Sequence, residues 1–589
     1  METSTANNKS TFSTLKSLSP MIRPFRFRIV IICACALILS ILRTLDPLLR
    51  QRLIDDGVLR GSMKDVIIYA ALIFSLFILN QLLEITQFLN YTYINKLLRF
   101  RLFHNAFRHL LKLPVSFFKD SNSTKIISNI EYDVINIAKI SDPVFIISIV
   151  QGLCMIGGVI GLAVINWVLA LIVLCVIPVK ILINRFFTQK RAKAFETAMK
   201  INSEFSEWFG ETVQGIGTIK LWGMFSRKIR EFSELRRKII RNEYSIDGTE
   251  RENDTASGTI NELLTGVLYI LGAIFIFQGQ LTIGGLFSII SFSSVVINSI
   301  SFLTRIKFYF TPIIPSLKRY QEFMGIKEEE RGYLEVPESP PRIKFDNVSL
   351  NYDGITDALR DVSFELYAGE KVAIVGANGS GKSSIIQLIL CLYEPTVGTI
   401  TYCGVDIRDI DIVQYRSIIS QVEQKVFLFN ASVKDNIDLS GKASDKKLME
   451  VAKLVGISSF IDDLPDGLGT SVGVDGTKLS GGERQKLAAL RALIKPHKVL
   501  ILDEAASNFD LASERMINEV FLQISSSKLL IMVTHRTDIL YKMDKILVMD
   551  NGRLVGCGKF TELMNTCPVF IKLMQQTGDY CMHRAEAAL

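Results

Sequence analysis

Apolar residues in the first half of the chain gather into long runs, whereas in the second half they come in short bursts between polar and glycine-rich stretches. A bilayer core takes roughly 20 apolar residues per helix. Six stretches meet that demand: Ile29 to about Leu49, Val66 to about Phe88, Val144 to Ile165, Trp167 to about Ile183, about Ile260 to Phe277, and Leu281 to Leu303. They predict six transmembrane helices. The first is the least clean, because its mainly apolar part stops at Leu42 and meets Arg43, Asp46 and Pro47. It either carries polar groups into the bilayer or ends early.

The pieces between spans two and three, and between spans four and five, are rich in helix formers and too long for simple loops. At about 1.5 Å per residue, helical hairpins of such length project tens of ångströms from the membrane. Their turn regions, Pro114 to Ile127 and Glu207 to Trp222, are either contact points for a cytosolic partner or simply bends. At LEVPESPPRI, Leu334 to Ile343, three prolines in a polar stretch mark a linker, and β-rich and helical pieces alternate after it. The expected organisation is an N-terminal segment 1–28, a transmembrane domain 29–325, a linker 326–340, an α/β domain 341–577 and a tail 578–589. The fold class is therefore a polytopic all-α membrane domain with long cytoplasmic extensions, followed by an α/β domain.

Composition agrees: the 589 residues include only 21% charged ones, and the mean hydropathy is +0.29. The net charge of +8 is uneven, with eight Lys or Arg from Lys96 to Lys139, fifteen from Lys180 to Arg251, and none in the third-to-fourth and fifth-to-sixth connections. By the positive-inside rule the basic segments are cytoplasmic, and so are the N-terminus and everything after Leu303. The charge thus reports topology, and no nucleic-acid partner is expected. The first 28 residues are largely polar and the apolar run after them is too long for a cleavable signal, so span one is an anchor. Ser13 to Arg28 is either a short amphipathic helix on the cytoplasmic face or a loose tail. The nine cysteines show no metal-type pairing and fit a reduced compartment.

In GANGSGKSS, Gly376 to Ser384, a strand of β-branched residues runs into G-x-x-x-x-G-K-S and then a mainly apolar helix. That is the context of a P-loop, and it makes the α/β domain a P-loop NTPase domain. Gly376, Gly379 and Gly381 let the backbone curl so that its N–H groups, with Asn378, Ser380 and Ser384 in the same cradle, face phosphates. Lys382 reaches the β- and γ-phosphates of ATP and Ser383 the Mg²⁺. A second buried strand, KVLILDEAAS, delivers Asp503 at its C-terminal end to hold Mg²⁺, with Glu504 beside it to polarise the attacking water.

GANGSGKSS, LSGGERQK and ILDEAAS, in that order and spacing, resemble the nucleotide-binding domain of an ATP-binding cassette (ABC) transporter. With six spans ahead of it, the chain resembles a type IV exporter-type half-transporter over nearly its whole length. The resemblance implies that Tyr352 stacks on adenine, that Gln424 senses Mg²⁺ and the transmembrane part, that Phe427 to Phe429 receive a cytoplasmic hairpin, and that His535 contacts the γ-phosphate. It also implies that Ser480, Gly481 and Gly482 of a second subunit close over the nucleotide. One chain carries one set of motifs, so a homodimer of twelve spans is expected, with a heterodimer as the alternative. Two departures stand out. In Ser507, Asn508, Phe509, Asp510 the pair Asn508–Phe509 stands where the family usually has a small-apolar pair before the D-loop aspartate, and TSVGVDG (Thr470 to Gly476) carries Val474 and Asp475 where the family has Glu and Arg.

The implied activity is ATP-driven export of a peptide-like or amphipathic small molecule by alternating access, from a bacterial inner membrane. Import of a metal chelate, lipid flipping and a membrane-anchored regulatory ATPase are the alternatives. Polar residues within spans are the cavity candidates: Arg43 and Asp46 in span one, Asn80, Gln81, Glu84 and Gln87 in span two, and Asn298 and Arg305 around span six. The alternative is that Arg43 and Asp46 pair locally and that the span-two face packs against its neighbours.

Overall fold

The computed structural model describes residues 23–119, 123–310, 312–330, 332–352, 357–454, 456–503, 511–524 and 528–576. They divide into two units. One takes in the described residues between Met1 and Leu111 and between Asn122 and Ile326; the other takes in those between Lys112 and Ser121 and between Lys327 and Leu589.

The first unit is all helix. Its long helices are α1 (Arg26–Arg52) and α2 (Met63–Leu110), and the unit is entered again, past α3 (Val115–Lys119) of the second unit, at α4 (Ser123–Ala138) and α5 (Pro143–Ile165). Then come α6 (Trp167–Gln214), the short α7 (Ile216–Leu221), α8 (Phe225–Phe277), α9 (Ile283–Phe310) and α10 (Ile313–Met324). Six of these elements are long and apolar enough to cross a membrane. Helix α1 does not stop at Leu42. It runs on through Pro47, so Arg43 and Asp46 lie within it, and its final turn, Leu53–Val58, is wound as a π-helix. Within the membrane an interrupted helix would strand its backbone groups, which favours continuing past the proline. Ser288 of α9 donates to the Pro47 carbonyl at 2.6 Å.

The predicted extension between spans four and five is made of two helices of great length, each continuous with its span. Helices α6 and α8 have 48 and 53 residues, or about 70 to 80 Å each at 1.5 Å per residue. Asn166 starts α6 by accepting from the Val168 and Leu169 N–H groups at 3.0 and 3.1 Å. At the far end, the Trp208 indole donates to Glu231 at 3.0 Å and Lys228 pairs with the same carboxylate at 2.8 Å. The span regions pack through Leu162, Leu169, Val173, Leu268, Phe292 and Val296, all buried. The apolar stretch of α2, by contrast, contains no buried residue, as suits a helix whose solvent is lipid.

The second unit carries two sheets. Strands β1 (Arg342–Asn351), β2 (Asp357–Tyr367), β4 (Val397–Tyr402) and β5 (Val405–Asp406) form a four-stranded sheet in the order β2-β1-β4-β5. The other, with β3 (Lys371–Gly376), β6 (Ile419–Val422), β7 (Val499–Asp503), β8 (Leu529–Val533), β9 (Lys545–Asp550) and β10 (Arg553–Gly558), has the order β10-β9-β3-β8-β7-β6. Every pairing in it except β10 with β9 is parallel. Val372–Val375 and Leu529–Val533 are buried throughout, as expected of parallel strands covered on both faces.

Candidate ATP site and transmembrane cavity

Parallel strands bring together what lies far apart in sequence. Ile374 of β3 pairs with Val533 of β8, Val533 pairs with Asp503 of β7, and Leu502 pairs with Val422 of β6. The C-terminal ends of four adjacent strands therefore point the same way. They lead into the P-loop, His535, Asp503 and Gln424, on the side where an open α/β sheet places its ligands.

The P-loop connects β3 to α11 (Lys382–Ile389). Gly376, Gly379 and Gly381 all take positive φ. At Gly376 a side chain is impossible on contact grounds as well, since a Cβ would lie 2.4 Å from the Met549 carbonyl oxygen and 2.5 Å from Ser380 Oγ. Ser380 Oγ is buried without a hydrogen-bond partner, and the Lys382 ammonium donates to the Gly376 and Ala377 carbonyls at 2.7 and 2.9 Å. An orphaned hydroxyl, a buried lysine and a helix N-terminus fit a phosphate chain. Ser383 is exposed beside them, as is Gln424, and Asp503 is half-buried. Hydroxyl, amide and carboxylate oxygens are the donors that suit Mg²⁺. Asn378 lies on the exposed loop and Ser384 is buried in the first turn of α11.

Tyr352 is fastened to that helix. Its hydroxyl is 3.0 Å from Ser384 Oγ and 2.5 Å from Gln387 Oε1, and its ring meets Tyr393 edge-on at 4.8 Å. Burial raises its phenol pKa. The ring is thereby held in a fixed place relative to the P-loop helix, and Gln387 and Tyr393, which sequence reasoning missed, do the holding.

Ser480 is the N-cap of α12 (Gly481–Ile494). Its Oγ accepts from the Glu483 N–H at 3.3 Å, and Glu483 Oε2 accepts from the Ser480 N–H at 2.6 Å. This capping box is the S-x-x-E signature written in the sequence, and it leaves Ser480 exposed with Gly481 and Gly482 half-buried beside it. Phe427 and Phe429 are both about half exposed and meet edge-on at 5.2 Å. Behind them the buried Asn436 bonds the Phe429 N–H and carbonyl at 2.8 and 2.9 Å, and Arg491 donates to the Phe427 carbonyl at 3.0 Å. A fully buried asparagine was the missed signal here. Val474 is 68% exposed, and Asp475 takes φ of 51°. Glu504 and the stretch Ser507 to Asp510 lie outside the described residues.

In the first unit, Arg43, Asp46, Asn80, Glu84 and Asn298 line one cavity of about 420 Å³. Gln87 does not: it is buried, and its amide donates to the Ile32 carbonyl at 3.2 Å. The local Arg43–Asp46 pair does not form either. Arg43 reaches across to Glu84 at 2.6 Å, and Asp46 pairs with Arg50 at 2.8 Å, one helical turn on, where i,i+4 neighbours meet. The Arg305 side chain lies outside the described residues.

These features define a membrane ATPase of the cassette type. The family model for the ABC transporter transmembrane region matches residues 29–300, and the ABC transporter model matches residues 359–507. An ATP-dependent lipid A-core flippase of Albidiferax ferrireducens is 30% identical over 543 residues, covering 90% of this chain and 92% of that protein. An uncharacterized ABC transporter ATP-binding protein of Bacillus subtilis is 27% identical over 492 residues, covering 82% and 84%. Among solved structures, a bacterial Atm1-family ABC exporter with ATP bound has a TM-score of 0.80 at 24% identity, covering 94% of this chain and 99% of that one. The chain belongs to the ABC transporter family as a six-span domain fused to its ATPase, an integral membrane exporter that binds ATP and couples hydrolysis to transport.

Proposed function

We propose that two copies of this chain export an amphipathic molecule, a lipid or a peptide-like compound, by alternating access. ATP and Mg²⁺ lie between the P-loop of one copy and Ser480, Gly481 and Gly482 of the other. The observation that carries this is the exposed N-terminus of α12: its capping box is made within the helix itself, and its N–H groups and dipole offer an anion site at the surface. A P-loop covers one side of a nucleotide, so a second anion site from another copy completes it. Binding favours the closed pair, and hydrolysis releases it. Glu504 polarises the attacking water, His535 holds the γ-phosphate, and Ser383, Gln424 and Asp503 serve the metal.

The N-terminus and ATPase face the cytoplasm of a bacterial inner membrane, a reading supported by the basic cytoplasmic segments. The exposed apolar bend of the second hairpin, with Leu221, Trp222 and Phe225, suits docking on the Phe427–Phe429 surface of the other copy.

Inside-out vesicles test the direction. ATP-dependent accumulation of an amphipathic dye or lipid inside them is expected. ATP-dependent loss of preloaded solute indicates import, and hydrolysis with no solute movement indicates a regulatory ATPase.

A further inference from the structure

The walls of the transmembrane cavity carry charges of both signs in equal number. Arg43 and Glu84 form an ion pair that crosses from α1 to α2, and their side chains are 38% and 40% exposed. Asp46 and Arg50 form a second pair along α1. Asn80 also lines the cavity, its amide donating to the Leu76 carbonyl at 3.0 Å. Ile73, Phe77 and Val295 supply an apolar wall to the same space.

We propose that this cavity takes the headgroup of a zwitterionic amphiphile, its anionic group on Arg43 and its ammonium on Glu84, with the tail against the apolar wall. The proposal names the substrate class for the export reading above and rests on it. The argument is one of charge exchange. A purely anionic headgroup that captures Arg43 leaves the Glu84 carboxylate unpaired in the cavity wall, and a purely cationic one strands Arg43. Uncompensated charge in such surroundings is strongly disfavoured. A ligand bearing both charges opens the pair and satisfies each half, so no charge is abandoned. Selectivity therefore comes from what the wrong ligand leaves unpaired as much as from what the right one gains.

The test measures binding by the full-length protein in neutral detergent without ATP, so its outcome is separate from the vesicle assay of direction. The probe is lysophosphatidylethanolamine with a fluorescent tail, compared with its N-acetylated form, which keeps the phosphate and loses the ammonium. The expected result is at least a roughly tenfold preference for the free amine. Free phosphoethanolamine is expected to bind more weakly than either tailed form. Glu84→Gln is expected to abolish the preference and Arg43→Gln to shift it towards a simple alkylamine. The charge-exchanged double variant, Arg43→Glu with Glu84→Arg, is expected to retain zwitterion binding, which separates recognition from loss of structure. Equal binding of the acetylated and free-amine forms by the unaltered protein overturns the proposal. So does unchanged selectivity in Glu84→Gln, or headgroup binding as tight without the tail as with it.

Discussion

Asp55 closes the start of α9 from 229 residues away: its Oδ1 accepts the Gly284 N–H at 2.9 Å, and its Oδ2 accepts from Thr282 Oγ1, 227 residues away, at 2.6 Å. The approach is close enough that a Cβ at Gly284 would lie 2.5 Å from the Gln51 carbonyl oxygen and 2.7 Å from the Asp55 carboxyl carbon. The π-wound last turn of α1 holds Asp55 there, and the carboxylate supplies both a cap and a charge that complements the helix dipole. Asp55→Ala is therefore expected to destabilise the transmembrane unit by about 0.5–2 kcal/mol. Asp55→Asn, which keeps an acceptor, is expected to fall between it and the parent, as measured by thermal unfolding of the purified full-length protein.

Mixing two inactive variants tests the shared nucleotide site. Homodimers of Lys382→Ala and of Ser480→Arg are each expected to lose ATPase activity. In a mixed dimer one interface carries both defects and the other carries none, so co-expression is expected to restore part of the activity. Turnover by a Ser480→Arg homodimer at the parent rate contradicts the shared site.

Glu504→Gln keeps the size of the side chain and removes its basicity. ATP binding is expected to persist while hydrolysis falls about 10²- to 10⁴-fold, read by nucleotide retention and phosphate release on the same sample.

His497 makes stability depend on pH. Its Nδ1 is 2.7 Å from the Lys495 carbonyl, and the Lys528 ammonium approaches its Nε2 at 3.2 Å. The carbonyl requires Nδ1 to carry the proton, and Nε2 then accepts from Lys528. Burial, with the nearby Lys528 and Lys495 charges, lowers its pKa below 6.5 despite the bond to the carbonyl. The unfolded chain thus binds the proton more readily, and this contribution, complete above about pH 6.5, is lost as pH falls through the folded value. Unfolding midpoints are expected to drop on acidification below pH 6.5, and His497→Gln is expected to flatten that part of the profile.

Arg416 fastens the linker to the ATPase unit. Its guanidinium meets Glu329 at 2.6 and 3.0 Å and donates to the Leu390 and Cys391 carbonyls at 3.0 and 2.7 Å. A lysine cannot reproduce this planar fork. Arg416→Lys and Arg416→Ala are both expected to speed proteolysis between residues 327 and 341 in the full-length protein, with a stability loss of about 1–3 kcal/mol for the alanine variant.

Motifs that depend on neighbours along the chain are legible in the sequence. The P-loop, the capping box at Ser480 and Glu483, and the apolar runs of the spans are short-range patterns, fixed by backbone geometry and by the thickness of a bilayer. The partners of Arg43, Asp46 and Gln87 are not. Each has a plausible local neighbour, yet Arg43 crosses to Glu84, Asp46 turns to Arg50 and Gln87 reaches the Ile32 carbonyl. Which face of a span meets a cavity and which meets another helix depends on how the helices rotate and cross, and a uniformly apolar surround writes little of that into sequence. Sequence by itself determined six spans, one ATPase domain and its glycine-rich turns, because local spacing encodes them. Only the tertiary structure decided that Asp55 caps α9 and that opposite charges share a cavity, because those pairings arise when distant segments pack.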